Sequence, residues 1–592
     1  MDATEFARYR NDYAYFFSSA DGNDKIEPDS PMSKYPFPNP EAKGVGTNWI
    51  DTITRTALYQ NYDLSISGAS AKSSYYASAG FNETQGIIDN SGLKRYSARL
   101  KVDHEFAKWL KAGLNLSYTY RDQDENLATI GGTNWWNAAV FLSPFLSPTS
   151  DMNDLWYSGQ KFNNPRIMLD HCLKNARRIS LNNSAFVEVT PVKGLKLRSQ
   201  FTYYSYQRHG RYYEPGYLPA KKENEGGYAS RDEYDDTSFS SENTVYYELR
   251  PKSGHNFDVL GGYTAQIKYD NNLSITGRGY TLDELTWNNM AAVPDKQNTS
   301  ISTNHTDWTK MSVFGRLNYN YKERYLLEAN LRIDGSSRFN KSNRWGYFPS
   351  VSGAWRISEE PFMQDVKHII DGLKLRASYG TLGNQNLAGG DAASYYPTTQ
   401  NLAMGQISMN DNIYSLVTLN TLANPDIKWE TTTMLDVGVD FSLFNKLNIT
   451  ADWYRKETKD ILMKLDMPLG IGLNAPYQNA GKVRNTGWEV SVGYNNQWRD
   501  FSFGVQANLS DVKNEILDMR GKTSTSGVLR NQEGYSIGSI YALKSLGIIR
   551  TQEEADWVNA NCPQFKETVQ IGDIRYADID GSNTIDENDK TI

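Results

Sequence analysis

The chain has 592 residues, 39% hydrophobic and 22% charged, so it can bury a core and is not disordered by composition. Its 69 acidic residues outnumber 62 lysines and arginines, and the formal net charge of -7 argues against a nucleic-acid surface, which needs a basic excess. No apolar run approaches the roughly 20 residues of a membrane-spanning helix, so any membrane role requires strands or a partner.

The ends of the chain read as internal sequence. Residues 1–6 carry neither a basic n-region nor an apolar h-region, so no signal peptide is expected here. Residues 587–592 stop in polar sequence directly after a turn-like segment. We therefore expect a fragment of a longer chain. The two cysteines, Cys172 and Cys562, are too few for a disulfide framework, and the sequence leaves open whether they pair.

Apolar and polar residues alternate with period two along most of the chain, which is typical of half-buried strands. The alternation is clear in 96–106, 110–120, 325–334, 435–443, 447–453 and 501–510. It predicts about 16 strands, most near the 9–11 residues that cross a bilayer at a tilt. Helical periodicity is expected only near Pro361–Asp371.

The two faces of these strands differ in chemistry. Between Tyr325 and Asp334, one face carries Tyr325, Leu331 and Ile333, and the other carries Glu328 and Arg332. Such polar residues would be costly in a dry core, but they suit a wet lumen whose outer wall meets lipid. The polar positions are Arg99, Lys101, Glu328, Arg332, Asp436, Asp440 and Asp452.

Short and long connections alternate. Tight links are expected near 69–73, 107–109, 191–194, 251–254, 322–324, 444–446 and 496–500. Long ones are expected at 83–95, 123–183, 208–237, 268–310, 336–345, 381–428, 460–480 and after 511; only 359–372 blurs this sorting. A transmembrane barrel sorts its loops in this way, and its closure satisfies every backbone group.

The predicted fold class is therefore all-β, a large antiparallel transmembrane β-barrel. We expect a segment before or early in the barrel over 1–61, barrel strands with long extracellular loops over 62–511, and a long extracellular loop over 512–592.

Aromatic residues make up 13% of the chain. Several fall near predicted strand ends, where interfacial girdles form, although ordinary strand propensity explains them equally well. They are Tyr118, Tyr120, Tyr203, Tyr204, Tyr319, Tyr321, Trp355 and Trp453.

Residues 578–589 match the spacing of a calcium-binding loop, with oxygen ligands at positions 1, 3, 5, 7, 9 and 12. The expected ligands are Asp578, Asp580, Ser582, Thr584 through its carbonyl, Asp586 and Asp589. Ile585 should anchor the loop inward. Asn583 replaces the usual glycine but tolerates a left-handed turn, and the final Asp is a short ligand. A structural Ca2+ is expected; the alternative is an acidic surface loop.

No catalytic constellation is evident. The six histidines lack metal spacing, and neither a nucleophile elbow nor a phosphate loop occurs. The carboxylate pairs Asp235–Asp236 and Glu359–Glu360 are expected to be solvated. The sequence predicts a protein that is not an enzyme.

Several blocks closely resemble the SusC/RagA-type TonB-dependent outer-membrane transporters of the Bacteroidetes, in family order across nearly the whole chain. The blocks are 47–51, 332–339, 343–350, 354–362, 375–380, 383–385, 424–430, 452–458, 479–489 and 572–576.

This resemblance implies a barrel of roughly 22 strands around an N-terminal plug, with the plug and further strands outside this chain. It implies the outer membrane as location, coupling to the TonB–ExbB–ExbD complex through the missing N-terminal part, and a SusD-like surface lipoprotein that closes over the loops. It implies import of a nutrient too large for porins; an oligosaccharide is the expected cargo and an oligopeptide is the alternative.

Aromatic pairs in the predicted loops support sugar stacking: Trp135–Trp136, Trp156–Tyr157 and Tyr212–Tyr213. The alternatives are a non-transporting binding or adhesin barrel and an outer-membrane hydrolase, which the missing catalytic constellation argues against.

Overall fold

The computed structural model describes residues 1–17, 32–125, 129–130, 133–149, 164–216, 226–280, 287–293, 299–387, 395–410, 412–465, 467–565 and 568–592. The chain divides into two compact units. The first comprises 1–192, 197–243 and 266–307, and the second comprises 193–196, 244–265 and 308–592.

Long strands dominate the described residues, and sixteen of them form one sheet in chain order. The strands are β1 (Tyr59–Ala69), β2 (Ser73–Gln85), β3 (Gly92–Ala107), β4 (Leu110–Asp124), β5 (Leu173–Val192), β6 (Leu195–Glu214), β7 (Gly227–Leu249), β8 (His255–Tyr280), β9 (Thr299–Tyr321), β10 (Tyr325–Ser336), β11 (Trp345–Arg356), β12 (Ile370–Asn384), β13 (Asn401–Met409), β14 (Asn412–Thr421), β15 (Glu430–Leu443), β16 (Leu447–Lys464), β17 (Tyr477–Trp498) and β18 (Phe501–Asp518). β13 and β14 form a separate hairpin, and β12 pairs with β15. The predicted all-β class and strand count are confirmed.

The strands of the large sheet are longer than the sequence predicted. β8 has 26 residues and β7 has 23. The alternation is lost where both faces of a strand become polar, as in the run 231–236 within β7, but the backbone continues to pair with its neighbours. Alternation of apolar and polar residues indicates a strand with one apolar surrounding, so a strand segment with polar surroundings on both faces shows no alternation.

The tight turns lie where the sequence predicted them, but their type was not evident. Lys322 and Glu323 link β9 to β10 with φ of 50° and 58°, and Phe444 and Asn445 link β15 to β16 with φ of 55° and 53°. Two consecutive left-handed residues are the mark of a type I′ hairpin turn, which matches the twist of paired strands. Glycine is absent from both turns, so composition alone gave only their positions.

The first unit contains helices that the sequence did not predict. These are α1 (Ala3–Phe17), α2 (Trp49–Ile53), α3 (Trp135–Phe141) and α4 (Pro165–His171). The buried face of α1 consists of Ala3, Ala7 and Asn11, whose small or polar side chains give a weak hydrophobic signal. α2, α3 and α4 contribute to one core cluster, formed by Trp49, Ile53, Ile88, Ala138, Ala139, Leu142 and Leu169.

In the second unit, the chain after β18 is structured. Among its described residues lie α5 (Gln552–Asn561) and short strands at Ser524–Ser526, Leu529–Asn531, Ser539–Ile540, Ala542–Leu543, Ser545–Ile548, Ile574–Tyr576 and Lys590–Thr591. The side chain of Thr551 caps α5 by accepting the N–H of Glu554 at 3.2 Å. This Thr-x-x-Glu spacing was the overlooked signal for a helix start.

The helical stretch predicted at Pro361–Asp371 is a 3-10 helix over Pro361–Val366, and β12 already begins at Ile370. Within the described part of the chain, none of the helices has the length and apolar character needed to cross a membrane. Neither Cys172 nor Cys562 forms a disulfide.

The sorting of connections leads to a testable topology. Tags inserted in the connections 125–172, 215–226 and 385–429 should be reached by antibody on intact cells, because long loops face outward. Tags in the turns at 108–109 and 322–324 should be reached only after the outer membrane is permeabilised. Labelling of the turn tags on intact cells would show that the barrel has the opposite orientation in the membrane.

Candidate functional site

One face of the strands in the second unit is apolar and exposed. Tyr325 and Leu331 of β10 each expose 45% of their surface, although both are large apolar residues. The register places Ala329 between Leu317 of β9 and Val351 of β11, and the latter two are also exposed. Opposed residues share a face, so the rows join into one apolar surface. A patch of this extent is rare on a soluble monomer and has the chemistry of a lipid-facing wall.

Aromatic rings edge this surface at the turn ends of the strands. Tyr321, Tyr325 and Trp355 stack in a row with ring centroids 6.4 and 6.5 Å apart. The hydroxyl of Tyr325 and the indole N–H of Trp355 donate to Glu360 at 2.6 and 3.0 Å. These two donors, with the Arg324 guanidinium, hold the pKa of Glu360 below its ordinary value. The rings of this row therefore border the apolar surface, and their polar atoms bind a carboxylate at the edge that faces water, as an interfacial girdle requires.

A second aromatic row crosses four strands of the first unit at their loop ends. Tyr62, Phe81, Tyr96 and Tyr120 follow one another with centroid distances of 6.3, 5.1 and 6.2 Å. Ion pairs lie directly beyond the row, namely Lys94–Glu83 at 3.6 Å and Arg177–Asp122 at 3.4 Å. The change from rings to ion pairs is the chemistry expected where lipid acyl chains give way to water.

The predicted girdle set needs one correction. Tyr203 and Tyr204 are successive residues of β6, so they project from opposite faces and cannot both contact lipid. Tyr203 packs on Phe239, which is exposed on the apolar face, at 5.1 Å. Tyr204 therefore belongs to the polar face.

The carboxylate pairs that the sequence predicted to be solvated are engaged in contacts. Glu360 is only 7% exposed, and Glu359 accepts from Lys367 at 2.9 Å. Asp236 forms an ion pair with Lys268 at 2.9 Å. Lys367 lies eight residues after Glu359, and Lys268 lies on the strand next to that of Asp236, so the adjacency of two carboxylates did not reveal these partners.

The polar face in the second unit holds a network centred on Arg376 of β12. Its guanidinium contacts Asp436 at 3.4 Å, Asp440 at 3.5 Å and Asp452 at 2.7 Å. Lys374 adds an ion pair to Asp440 at 3.5 Å. The sequence placed the three carboxylates on the wet face but overlooked Arg376, although its position between Leu375 and Ala377 assigns it to that face.

A recess of about 440 Å³ opens on this wall. Acidic, basic and amide side chains share its lining, which includes Asp258, Asn318, Glu328, Lys374, Arg376 and Asp436. The lining therefore presents positive, negative and neutral amide groups to a polar molecule that enters the recess.

The acidic loop 578–589 is folded around its first carboxylate. Asp578 accepts the N–H groups of Gly581, Ser582 and Asn583 at 2.7, 3.2 and 2.8 Å. Asn583 has a φ of 59°, the left-handed conformation that the sequence predicted. Ile585 is fully buried, also as predicted, and its carbonyl accepts the N–H of Phe565 at 2.9 Å.

The loop brings three of the six expected ligands together. Oxygens of Asp578, Asp580 and Asp589 lie within 4.8 Å of one another. Asp589 is fully buried. Its carboxylate accepts hydrogen bonds from the backbone N–H of Asp586 and, with smaller effect, from those of Ile579 and Asp580, and these bonds hold its pKa below the ordinary value. The carboxyl therefore stays ionised at neutral pH, which is the form that binds a cation.

The other three expected ligands bond within the loop. The Ser582 hydroxyl donates to the Thr584 carbonyl at 2.9 Å. Asp586 caps the 3-10 helix Glu587–Asp589 by accepting the N–H of Asn588 at 2.7 Å. Three carboxylates and reorientable loop oxygens could hold a hard cation.

The aromatic pairs expected to stack on sugars differ in their surroundings. Tyr213 is buried with Ala229 and Val293, and Tyr212 packs on Tyr228 and donates to Glu214 at 2.8 Å. Trp136 remains about half exposed. Trp156, Tyr157 and the side chain of Trp135 lie outside what the structure describes.

Residues 175–528 match the family model described as TonB dependent receptor-like, beta-barrel. A TonB-dependent receptor of Formosa agariphila is 30% identical over 94% of this chain and 56% of its own length. The TonB-dependent receptor SusC of Bacteroides thetaiotaomicron is 27% identical over 92% of this chain and 55% of its own length. The chain thus spans about half the length of the curated relatives it matches.

Among solved structures, the RagAB peptide importer in its 'open-open' state is similar with a TM-score of 0.76. The match covers 93% of this chain and 62% of that chain at 22% identity, so it shows a shared fold.

Proposed function

The chain belongs to the SusC/RagA-type TonB-dependent receptors and carries part of their outer-membrane β-barrel, and on this premise we propose that the whole protein imports a large nutrient by TonB-coupled active transport. The observation that supports this most directly is the two-faced strand wall. One face is apolar and exposed, and the other is an ion-paired wall with a polar recess.

The proposed cargo is an oligosaccharide, with an oligopeptide as the second candidate. The half-exposed Trp136 supports the first, since sugars stack on aromatic faces, but the buried Tyr213 does not. The second is favoured by the fold shared with a protein described as a peptide importer. The mixed charges of the recess accommodate either cargo.

The proposed partners are a SusD-like surface lipoprotein and the TonB–ExbB–ExbD complex. A barrel that takes up large solutes needs a means of holding them at its mouth, and coupling through TonB supplies the energy.

Uptake by cells tests the proposal. Cells with the full-length gene should accumulate a labelled oligosaccharide or oligopeptide, and deletion of either this gene or tonB should abolish accumulation. Surface binding that persists without accumulation in wild-type cells would favour the non-transporting barrel. Degradation of the cargo by the purified protein would instead favour the hydrolase.

We further propose that loop 578–589 binds one structural Ca2+. The buried, ionised Asp589 beside Asp578 and Asp580 supports this, because calcium takes six to eight oxygen ligands and relieves their mutual repulsion. The short final ligand and the non-glycine sixth position should weaken binding, to an expected Kd of about 10⁻⁴–10⁻³ M.

Calorimetric titration of the full-length protein with calcium provides the measurement. Asp578→Ala/Asp580→Ala should remove one binding event, whereas Glu587→Gln should retain it, because Glu587 lies outside the ligand set and pairs with Lys590. Equal uptake by wild type and the double variant would leave the loop as a solvated acidic turn.

A further inference from the structure

The outer face of β16, β17 and β18 changes from apolar to basic along the strands. Trp453 lies opposite Trp488 on this face, and the two residues are 41% and 38% exposed. Beyond this pair, towards the loop ends of the strands, the same face carries five cations. These residues, here named the basic cluster, are Arg455, Lys459, Lys482, Arg484 and Lys513.

The basic cluster lies at the level of lipid headgroups. Trp488 and Trp498 are ten residues apart on one face of β17, about 33 Å along the strand, which a tilt of about 40° converts into a depth of about 25 Å. This is the height of the apolar band of a transmembrane barrel. Arg455 follows Trp453 by two residues, so the cluster begins where the band ends. Because the loop ends face outward, the adjacent leaflet is the outer one.

Glu457 holds three of the cations close together. Its Oε1 accepts from the Nε of Arg455 at 3.1 Å and from the Nε of Arg484 at 2.8 Å. Its Oε2 lies 3.2 Å from the ammonium group of Lys482. The four side chains are between 23% and 46% exposed, so an anion can reach them. One carboxylate leaves this group with an excess of two positive charges.

The register adds two more cations beside this group. Lys459 lies directly opposite Lys482, and Lys513 lies opposite Thr486, the next residue on the same face after Arg484. Like charges that face each other across two strands are destabilising. An anion bound between them would remove this repulsion.

Carboxylates on this part of the outer face do not cancel the charge. They are Glu457, Asp511 and Glu515, so five cations and three carboxylates leave a net charge of +2. The ion pairs beyond the aromatic row of the first unit, by contrast, join one cation to one carboxylate each. A local positive excess in a chain whose net charge is -7 indicates an anionic partner.

We propose that the basic cluster binds the phosphorylated headgroup of a lipid in the outer leaflet, whose acyl chains pack on the apolar face below it. Guanidinium groups bind phosphate oxygens through two parallel N–H donors, and lysines add point charges. Trp453 and Trp488 lie at the boundary between the two zones, where amphipathic rings are favoured. The bound lipid fixes the depth of this wall in the membrane. The inference depends on the outer-membrane location and not on the cargo.

Native mass spectrometry of the full-length receptor in detergent tests this, with lipid A, a phosphorylated glycolipid of the outer leaflet, as the probe. Lys459→Gln/Lys513→Gln removes the net charge of the cluster and leaves the contacts of Glu457 in place. Its affinity for lipid A should fall about tenfold or more, because each cation near an anionic lipid surface contributes to binding. An unchanged affinity would overturn the proposal.

Arg316→Gln/Lys456→Gln is the matched control, because it removes two cations from the polar face. Arg316 lies opposite Asn330, and Lys456 is the neighbour of Arg455 in the sequence, so its side chain projects from the other face. The control should bind lipid A as wild type does, and an equal loss in both double variants would contradict a site on the outer face. Heat-modifiable gel mobility of each variant should match wild type, which shows that the barrel is assembled.

Inorganic phosphate separates a lipid from a free anion. Lipid A should remain bound in the presence of an equal concentration of inorganic phosphate, because its acyl chains add contacts with the apolar face. Displacement of lipid A under these conditions would mean that the cluster is a site for free phosphate.

Photo-crosslinking in native outer membranes provides a measurement that needs no weakened site. A probe in place of Thr486 should give an adduct with a phosphorylated lipid. The same probe at Asn485, one residue away on the polar face, should not give this adduct, because Asn485 accepts from the Asn514 amide on that face. An adduct from position 486 that contains only protein would overturn the proposal.

Discussion

Leu331→Arg should destabilise the membrane-inserted barrel by about 2–4 kcal/mol, which is the cost of a basic residue on the lipid face near the bilayer midplane. Leu331 lies about 20 Å along β10 from the aromatic row at Tyr325, which a tilt of about 40° converts into a depth of roughly 15 Å. Denaturant titration of the full-length protein in lipid vesicles measures this loss, and a reduced amount of heat-modifiable protein in the outer membrane should accompany it.

Asn330→Arg is the matched control, because it introduces the same residue one position away on the opposite face. Asn330 lies beside Glu328, whose carboxylate accepts its amide at 2.7 Å, so an arginine there finds a partner and water. The control should cost less than about 1 kcal/mol. Equal losses for both variants would mean that the two faces of β10 are wrongly assigned.

The neighbouring Arg332 shows why a wet-face residue is not automatically neutral. From the sequence, Arg332→Leu should barely affect assembly. In the structure its Nε lies 2.9 and 3.0 Å from the two oxygens of Asp334, which is buried, and a second nitrogen donates to Ser312 at 2.8 Å. We now expect Arg332→Leu to cost about 1–3 kcal/mol, because a buried carboxylate loses its main partner.

Arg376→Met should cost about 2–3 kcal/mol, the second largest loss we expect. Removing the guanidinium leaves three carboxylates, Asp436, Asp440 and Asp452, close together with only Lys374 nearby. Breaking a buried ion pair from one side costs about 3–5 kcal/mol, and partial exposure of this site lowers that figure. Denaturant titration in vesicles again gives the measurement.

The pH dependence separates this electrostatic loss from lost packing. In Arg376→Met the folded carboxylates repel one another and bind protons more readily than in the unfolded chain, so the stability of the variant should fall as pH rises and recover at low pH. Lys374→Met is the control, since its single ion pair is half exposed and should cost less than about 1 kcal/mol. A loss for Arg376→Met that does not vary between pH 5 and pH 8 would point to packing.

The sequence by itself determined the architecture. Alternation with period two gave the strands and both of their faces, because a barrel wall places every second residue in lipid and the others in water. Loop lengths gave the order of turns and connections, and the spacing of Asp578 to Asp589 predicted a compact loop with Asn583 left-handed and Ile585 buried. These features depend on residues that are close together in the sequence, so the sequence alone predicts them.

Tertiary structure alone decided which side chains meet. Arg376 finds three carboxylates on two other strands, Glu360 accepts from Tyr325 and Trp355, and Tyr213 is buried. Register sets these contacts, and a period-two pattern fixes the face of a residue but not its partner across the strands. The helices α1 and α5 were missed for another reason: their buried faces are small, with Ala3 and Ala7 in α1 and Ala555 and Val558 in α5, and so give a weak hydrophobic pattern.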